Sequence, residues 1–181
     1  MSTSTLRLIV MGVSGCGKST MANALSERLG LEMVDGDDLH LPESVAKMRA
    51  GVALQDADRW PWLDRIGAYL AQAQEQGRVV ACSALKRAYR DRIRQQAGEV
   101  RFLFLKGDFE LIEQRLSQRV GHYMQPGLLT SQFEALEIPQ HDETDVICLP
   151  IIEPVADLVN QALFDLQAHP LPARPRDPAT L

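Results

Sequence analysis

The chain has 181 residues, of which 45% are hydrophobic and 24% charged, and carries a formal net charge of −5. That length supports one hydrophobic core and hence one domain. The acidic balance, with no Lys/Arg cluster to override it, argues against a nucleic-acid partner held by phosphate contacts and points to a small-molecule one. No apolar run is long enough to span a bilayer, and residues 1–5 lack a basic region followed by an apolar core, so a cytoplasmic protein without a membrane partner is expected. Cys16, Cys82 and Cys148 lie far apart with no C-x-x-C pair, which reads as free thiols rather than a disulfide framework or zinc site.

In chain order, residues 6–11 (LRLIVM) read as a first buried strand. It runs into Gly12-Val13-Ser14-Gly15-Cys16-Gly17-Lys18-Ser19, which matches G-x-x-x-x-G-K-[ST] without substitution. From Lys18 onward Met21, Leu25 and Leu29 recur at helical spacing, so the loop joins a strand to a helix N-terminus. The pattern names a mechanism. Backbone N–H groups from Gly12 to Thr20 cradle the phosphates of a nucleoside triphosphate, Lys18 reaches the outer phosphates, and Ser19 ligates Mg²⁺. Cys16 is a small filler at a position open to any residue.

Gly30 stops the first helix, and residues 31–34 form a second strand ending in Asp35-Gly36-Asp37. Carboxylates at the C-terminal end of a parallel strand lie on the ligand face of an open α/β sheet. A short helix at 42–50, stopped by Gly51, precedes the turn Gln55-Asp56-Ala57-Asp58. Asp58 is expected to cap the next helix, with Pro61 in its first turn. Trp62, Ile66, Tyr69, Leu70 and Ala73 form that helix's core-facing stripe, and Gly77 ends it. Residues 79–82 are a third strand leading to Ser83-Ala84-Leu85-Lys86, followed by a helix at 86–96 and a fourth strand at 101–105.

The helix starting near Asp108 carries Leu111, Ile112 and Leu116, with Arg115 and Arg119 one turn apart on another face. The Gly- and Pro-bearing stretch 120–129 reads as a mobile excursion, joined to the body by a short helix at 128–136. A fifth strand at 145–149 and an amphipathic last helix through Leu166 complete the domain. Five apolar strands alternating with amphipathic helices give an α/β fold with a parallel sheet covered on both faces and right-handed crossovers. The expected organisation is a single domain over 1–167, with a substrate-binding segment at about 38–60 and a lid at about 119–130. Residues 168–181, with Pro170, Pro172, Pro175 and Pro178, read as a disordered tail.

The loop alone does not fix the reaction. No guanine-reading N-K-x-D occurs, and Asp64-Arg65-Ile66-Gly67, which spells D-x-x-G, falls inside the third helix. The third strand ends in Cys82-Ser83 rather than in the acidic residue of a motor or transporter ATPase. Mg²⁺ must then rely on Ser19, phosphate oxygens and waters, with Asp35 an anchor through water. The residues fit a small-metabolite kinase best. They leave open an acceptor such as shikimate, adenylylsulfate or a nucleotide, and also a regulator that binds nucleotide without turnover.

A longer set of stretches narrows this. Asp35-Gly36-Asp37 with Leu39-His40, Asp58-Arg59 with Pro61-Trp62-Leu63, Cys82-Ser83-Ala84-Leu85-Lys86 with Tyr89-Arg90, Gly121-His122, and Gln132-Phe133-Glu134 stand together in one chain. The sequence over roughly 6–165 resembles the thermoresistant-type gluconokinases, P-loop kinases similar in fold to shikimate and nucleoside monophosphate kinases. Ser44 and Ala53 depart from the Asn and Pro that members of the family often carry. The resemblance implies ATP- and Mg²⁺-dependent phosphorylation of D-gluconate by a homodimeric enzyme. It implies Asp37 as the carboxylate that orients the attacking hydroxyl and accepts its proton, and Lys18 and Arg119 as catalytic cations. Arg119, seconded by Arg115, would close over the phosphates of ATP. Arg59 and Lys86 would meet the gluconate carboxylate, while Ser83, His40 and His122 complete the substrate side.

Overall fold

Strands with no polar face must be covered on both sides, and the three central strands here are, whereas the edge strands keep exposed positions such as Glu32 and Cys148. In a computed structural model, which describes residues 5–118 and 127–168, β1 (Arg7–Met11), β2 (Glu32–Asp35), β3 (Arg78–Ala81), β4 (Arg101–Lys106) and β5 (Val146–Pro150) form one sheet. Its order is β2-β3-β1-β4-β5, and every neighbouring pair is parallel. The helices are α1 (Lys18–Leu29), α2 (Pro42–Arg49), α3 (Asp56–Ala71), α4 (Arg87–Ala97), α5 (Phe109–Ser117), α6 (Leu128–Ala135) and α7 (Val155–Ala168). No helix among the described residues is long and apolar enough to cross a membrane.

The period-two pleat sorts each strand between two layers. Leu8, Val10, Val79, Leu103 and Leu105 face a layer holding Met21 and Leu25 of α1 and Leu158 and Ala162 of α7. Ile9, Met11, Val80, Phe102 and Phe104 face the opposite layer, with Leu63 and Ile66 of α3 and Ile93 of α4. Fully burying one such aliphatic side chain contributes about 1.5–3 kcal/mol, against about 0–1 for an exposed ion pair, so these two layers hold the sheet together.

Sequence order and space part company at β1. The chain leaves β1 for the edge strand β2, returns to β3, then crosses over β1 to β4. Val10 and Asp35 are each in register with Ala81, so the C-terminal ends of β1, β3 and β2 stand level and side by side. Everything that follows these three strands is therefore delivered to one rim of the sheet. This is where an open α/β sheet binds its ligand.

Most expected elements occur within a residue or two of their expected bounds. The start of α3 differs. Gln55, not Asp58, is the N-cap, and Asp58 stands at the third helical position, where its Oδ2 accepts the Gln55 N–H at 3.0 Å. This capping box begins the helix early and leaves Pro61 inside it rather than in its first turn. The helix also ends at Ala71, so Ala73 lies beyond it and the turn to Gly77 is separate. Arg119 and His122 lie outside the described residues, as does the tail from residue 169 onward. Of the expected lid, residues 127–130 are described and contain the start of α6.

One buried ionic cluster governs the turn after β3. The Arg90 side chain has no exposed surface and forms a two-point pair with Glu143, Nε to Oε2 at 2.7 Å and Nη2 to Oε1 at 2.6 Å. Arg90 Nη1 also donates to the carbonyls of Ala84 (3.1 Å) and Leu85 (3.2 Å), holding a turn in which Ala84 adopts a left-handed φ of 43°. Arg94 adds a bond to Glu143 and two to Asp145. Burial alone would raise the Glu143 carboxyl, but the two arginines reverse this and bring its pKa to about 2. Glu143→Ala leaves Arg90 buried and unpaired, and is expected to cost about 3–5 kcal/mol in urea denaturation. The wild-type contribution is complete above the unfolded carboxylate value of about 4.3 and is lost as pH falls toward 2, so the variant's deficit should shrink on acidification through that window.

Candidate active site

The loop after β1 takes the shape its glycines permit. Gly12, Gly15 and Gly17 have φ of 143°, 81° and 99°, a region a side chain rarely enters. At Gly12 the constraint is also spatial: a Cβ there would stand 2.7 Å from Cys16 Sγ and 3.0 Å from the Leu105 carbonyl. Gly12 N–H donates to the Ser83 carbonyl at 3.2 Å, tying the loop to the end of β3. Val13 and Cys16 are buried beneath the loop, and burial raises the Cys16 thiol pKa, so Cys16 fills space rather than acting as a thiolate. Lys18 Nζ folds back to the Val13 carbonyl at 3.0 Å, placing its ammonium at the loop's apex.

Asp35 joins this loop to the next strand end. Its Oδ2 accepts from Ser19 Oγ and its Oδ1 from the Asp37 N–H, both at 3.0 Å. Asp35 is thereby the cap of a one-turn 3-10 helix, Gly36–Leu39, that carries Asp37. Gly36 is buried against the end of β3, where a Cβ would stand 2.7 Å from the Ala81 carbonyl. The Ser19 hydroxyl and Asp35 carboxylate together offer hard oxygen ligands of the kind Mg²⁺ prefers, directly or through water. These residues fit the ion.

Asp37 projects from this turn with 87% of its side chain exposed. The crowding of the surrounding protein still pushes its pKa above the ordinary carboxylate value, and the negative charge of Asp35 adds to the rise. His40 Nε2 stands 3.8 Å from Asp37 Oδ1, too far for a hydrogen bond. The imidazole is stacked on Trp62, centroids 4.2 Å apart at 13°, and burial lowers its pKa, leaving it neutral at pH 7. His40 Nδ1 is buried with no partner among the described residues. Trp62 thus serves more than the core: its Nε1 donates to the Gly36 carbonyl at 2.7 Å, so one side chain supports both Gly36 and His40.

Arg59 and Lys86 come together around a residue that no local pattern marks. Lys86 Nζ lies 2.9 and 3.0 Å from the two Asp56 oxygens, and the Tyr89 hydroxyl donates to the same carboxylate at 2.5 Å. Arg59 Nη1 donates to the Leu54 carbonyl at 2.6 Å, while its Nε and Nη2 make no hydrogen bond among the described residues. Asp56 therefore offsets the charge of Lys86 far more closely than that of Arg59, whose nearest approach to Asp56 is 3.9 Å. Ser83 reaches the site through its carbonyl to Gly12. On the far side of the loop, Gly15, Gly17, Thr20, Arg115, Glu153 and Pro154 line a cleft of about 240 Å³, with Arg115 donating to the Ile151 carbonyl. The sequence reading did not single out this loop after β5, nor Asp56 and Tyr89 as a bridge.

A glycine-rich anion loop at the switch point of a 2-3-1-4-5 parallel sheet, with carboxylates at the end of β2 one strand further on, defines a P-loop small-molecule kinase. Comparison with known proteins narrows the class. A family model described as an AAA domain matches residues 8–136. The thermosensitive gluconokinase of Escherichia coli K12 is 42% identical over 155 residues, 84% of this chain and 83% of that protein. The solved gluconokinase of Sinorhizobium meliloti 1021 is 43% identical, superposes with a TM-score of 0.81, and covers 90% of this chain and 92% of its own. A shikimate kinase from Aquifex aeolicus shares the fold at 16% identity, with a TM-score of 0.56 over 90% of this chain and 97% of its own. The chain belongs to the gluconokinase family.

Trp62→Phe keeps the ring beneath His40 and removes the donor to the Gly36 carbonyl. The carbonyl keeps its bond within the 3-10 turn, so the loss is that of one hydrogen bond, about 0.5–1.5 kcal/mol. Thermal or urea unfolding should show that loss, and steady-state kinetics should show a raised KM for the acceptor with the KM for ATP unchanged.

Proposed function

We propose that this chain transfers the γ-phosphoryl group of ATP to the terminal hydroxyl of D-gluconate, giving 6-phospho-D-gluconate and ADP. The observation that carries this reading is the Ser19–Asp35–Asp37 chain of contacts, which holds a free carboxylate beside a phosphate loop in a chain 42% identical to a gluconokinase. Phosphoryl transfer asks the protein mainly to position two reactants and to neutralise charge on the moving group.

In this reading the loop from Gly12 to Thr20 binds the triphosphate, and Lys18 leaves the Val13 carbonyl to meet the outer phosphates. Ser19 and Asp35 would hold Mg²⁺, which when bound neutralises phosphate charge. Asp37 orients the attacking hydroxyl and takes its proton. The raised pKa suits this role, because a stronger base accepts the proton more readily. Neutral His40 and Ser83 face the sugar hydroxyls. Arg59, with two nitrogens unpartnered among the described residues, reads the gluconate carboxylate, while Lys86 is occupied in holding Asp56. Arg115 lines the cleft that suits the nucleoside, and Arg119 and His122 are assigned to the lid by their place in the family motif. The buried thiols of Cys16 and Cys82 fit a cytoplasmic enzyme.

The test is ADP release with gluconate, shikimate and neutral hexoses in parallel, repeated with Asp37→Asn. Gluconate alone should support turnover, and the variant should lose about a hundredfold or more in kcat with little change in nucleotide affinity. The wild-type kcat/KM should fall as pH drops through the raised Asp37 pKa, since the base must be ionised, and that acid limb should vanish in the variant. Turnover of shikimate in place of gluconate would overturn the acceptor, and an unchanged kcat in the variant would remove Asp37 from the mechanism.

A further inference from the structure

Helix α6 reaches across the site and takes hold of the phosphate loop. Gln132 Oε1 accepts the Ser14 backbone N–H at 2.6 Å, and Gln132 Nε2 donates to Ser14 Oγ at 3.0 Å. The amide's orientation is fixed by chemistry: a backbone N–H can only donate, so the atom facing it must be the carbonyl oxygen. The contact spans 118 residues of sequence and involves a half-buried side chain on a well-anchored helix. Leu129 is buried in the core, and Phe133 packs on Phe109 with centroids 5.5 Å apart. Just past the helix, Glu137 N–H donates to the Leu85 carbonyl at 2.9 Å, and its carboxylate accepts from the Arg87 N–H at 2.6 Å.

Two consequences follow for the anion cradle. Ser14 sits beside Val13, whose carbonyl holds the Lys18 ammonium, so Gln132 stands at the loop end where Lys18 meets the outer phosphates. The Ser14 N–H is turned to Gln132 and withdrawn from the set of loop donors available to phosphate. Gln132 Nε2 carries a second N–H with no partner among the described residues. A donor removed from the loop is replaced by one supplied from α6.

We propose that Gln132 is a binding and positioning residue for phosphoryl transfer, fixing the loop apex through Ser14 while its free amide N–H donates to the γ-phosphoryl oxygens of the bound triphosphate. The proposal rests on the reading of this loop as an ATP site. It predicts discrimination between triphosphate and diphosphate, because only the former reaches Gln132.

The experiment measures Mg·ATP (as a non-hydrolysed analogue) and Mg·ADP affinities by calorimetry, and kcat and KM with gluconate. It uses the wild-type chain, Gln132→Ala and Gln132→Glu. Glutamate retains an oxygen for the Ser14 N–H but lacks the amide donor and brings a negative charge, so it preserves the loop contact while removing the contact to phosphate. Both variants should weaken triphosphate binding by about tenfold or more relative to ADP and should lower kcat, with Gln132→Glu the more severe. Equal weakening of the two nucleotides, or a wild-type kcat in Gln132→Glu, overturns the proposal and leaves Gln132 a structural staple. If the wild-type chain binds both nucleotides but phosphorylates no gluconate, the acceptor assignment fails while the nucleotide comparison still decides the role of Gln132.

Discussion

The Asp35 carboxylate is the contact on which the site depends. One oxygen receives the hydroxyl of the phosphate-loop serine, and the other receives the backbone N–H of Asp37. A single side chain therefore ties the start of α1 to the turn carrying Asp37, the two halves of the proposed site. Such a bridge is available because β2 and β1 flank β3 in level register, which brings Asp35 near the start of α1 although the two are separated by the whole of that helix in sequence. The charge on Asp35 also acts at a distance by helping to raise the pKa of Asp37. Asp35 thus contributes to the geometry around Asp37 and, second to burial, to its basicity.

The neighbouring turns are held by side chains paired within the protein. Arg90, paired with Glu143, fixes the carbonyls of Ala84 and Leu85, so the turn bearing Lys86 is set from behind. Asp56 collects Lys86 and Tyr89, and Trp62 supports both Gly36 and His40. A buried ion pair is seldom a net source of stability, but one whose spare donors hold two carbonyls defines a backbone path. These contacts fix the backbone around the proposed site, while Asp37 stays exposed beside it.

What could be read from the sequence follows from how local each signal is. Gly12 to Ser19 form a contiguous pattern with a mechanism attached, and the strands and helices announced themselves by period, so the α/β sheet was legible. The start of α3 was misplaced because Asp58 resembles a cap, whereas the box it forms with Gln55 depends on a reciprocal hydrogen bond that composition does not reveal. Arg59 and Lys86 appeared as equivalent cations because Asp56, which pairs closely with only one of them, is thirty residues from Lys86. The Gln132 contact was invisible for the same reason, its partner lying 118 residues away. Contacts of this kind become legible only once the strand order is known.

The most direct measurement of the Asp35 bridge is initial-rate kinetics of Asp35→Ala with Mg²⁺, ATP and gluconate each varied. If one carboxylate serves both halves, the Mg²⁺ requirement and the KM for gluconate should both rise by about tenfold or more, the scale of a lost charge-assisted hydrogen bond. A variant whose Mg²⁺ requirement rises while its gluconate KM and kcat stay at wild-type values would show that Asp37 is positioned without Asp35, and would contradict the account.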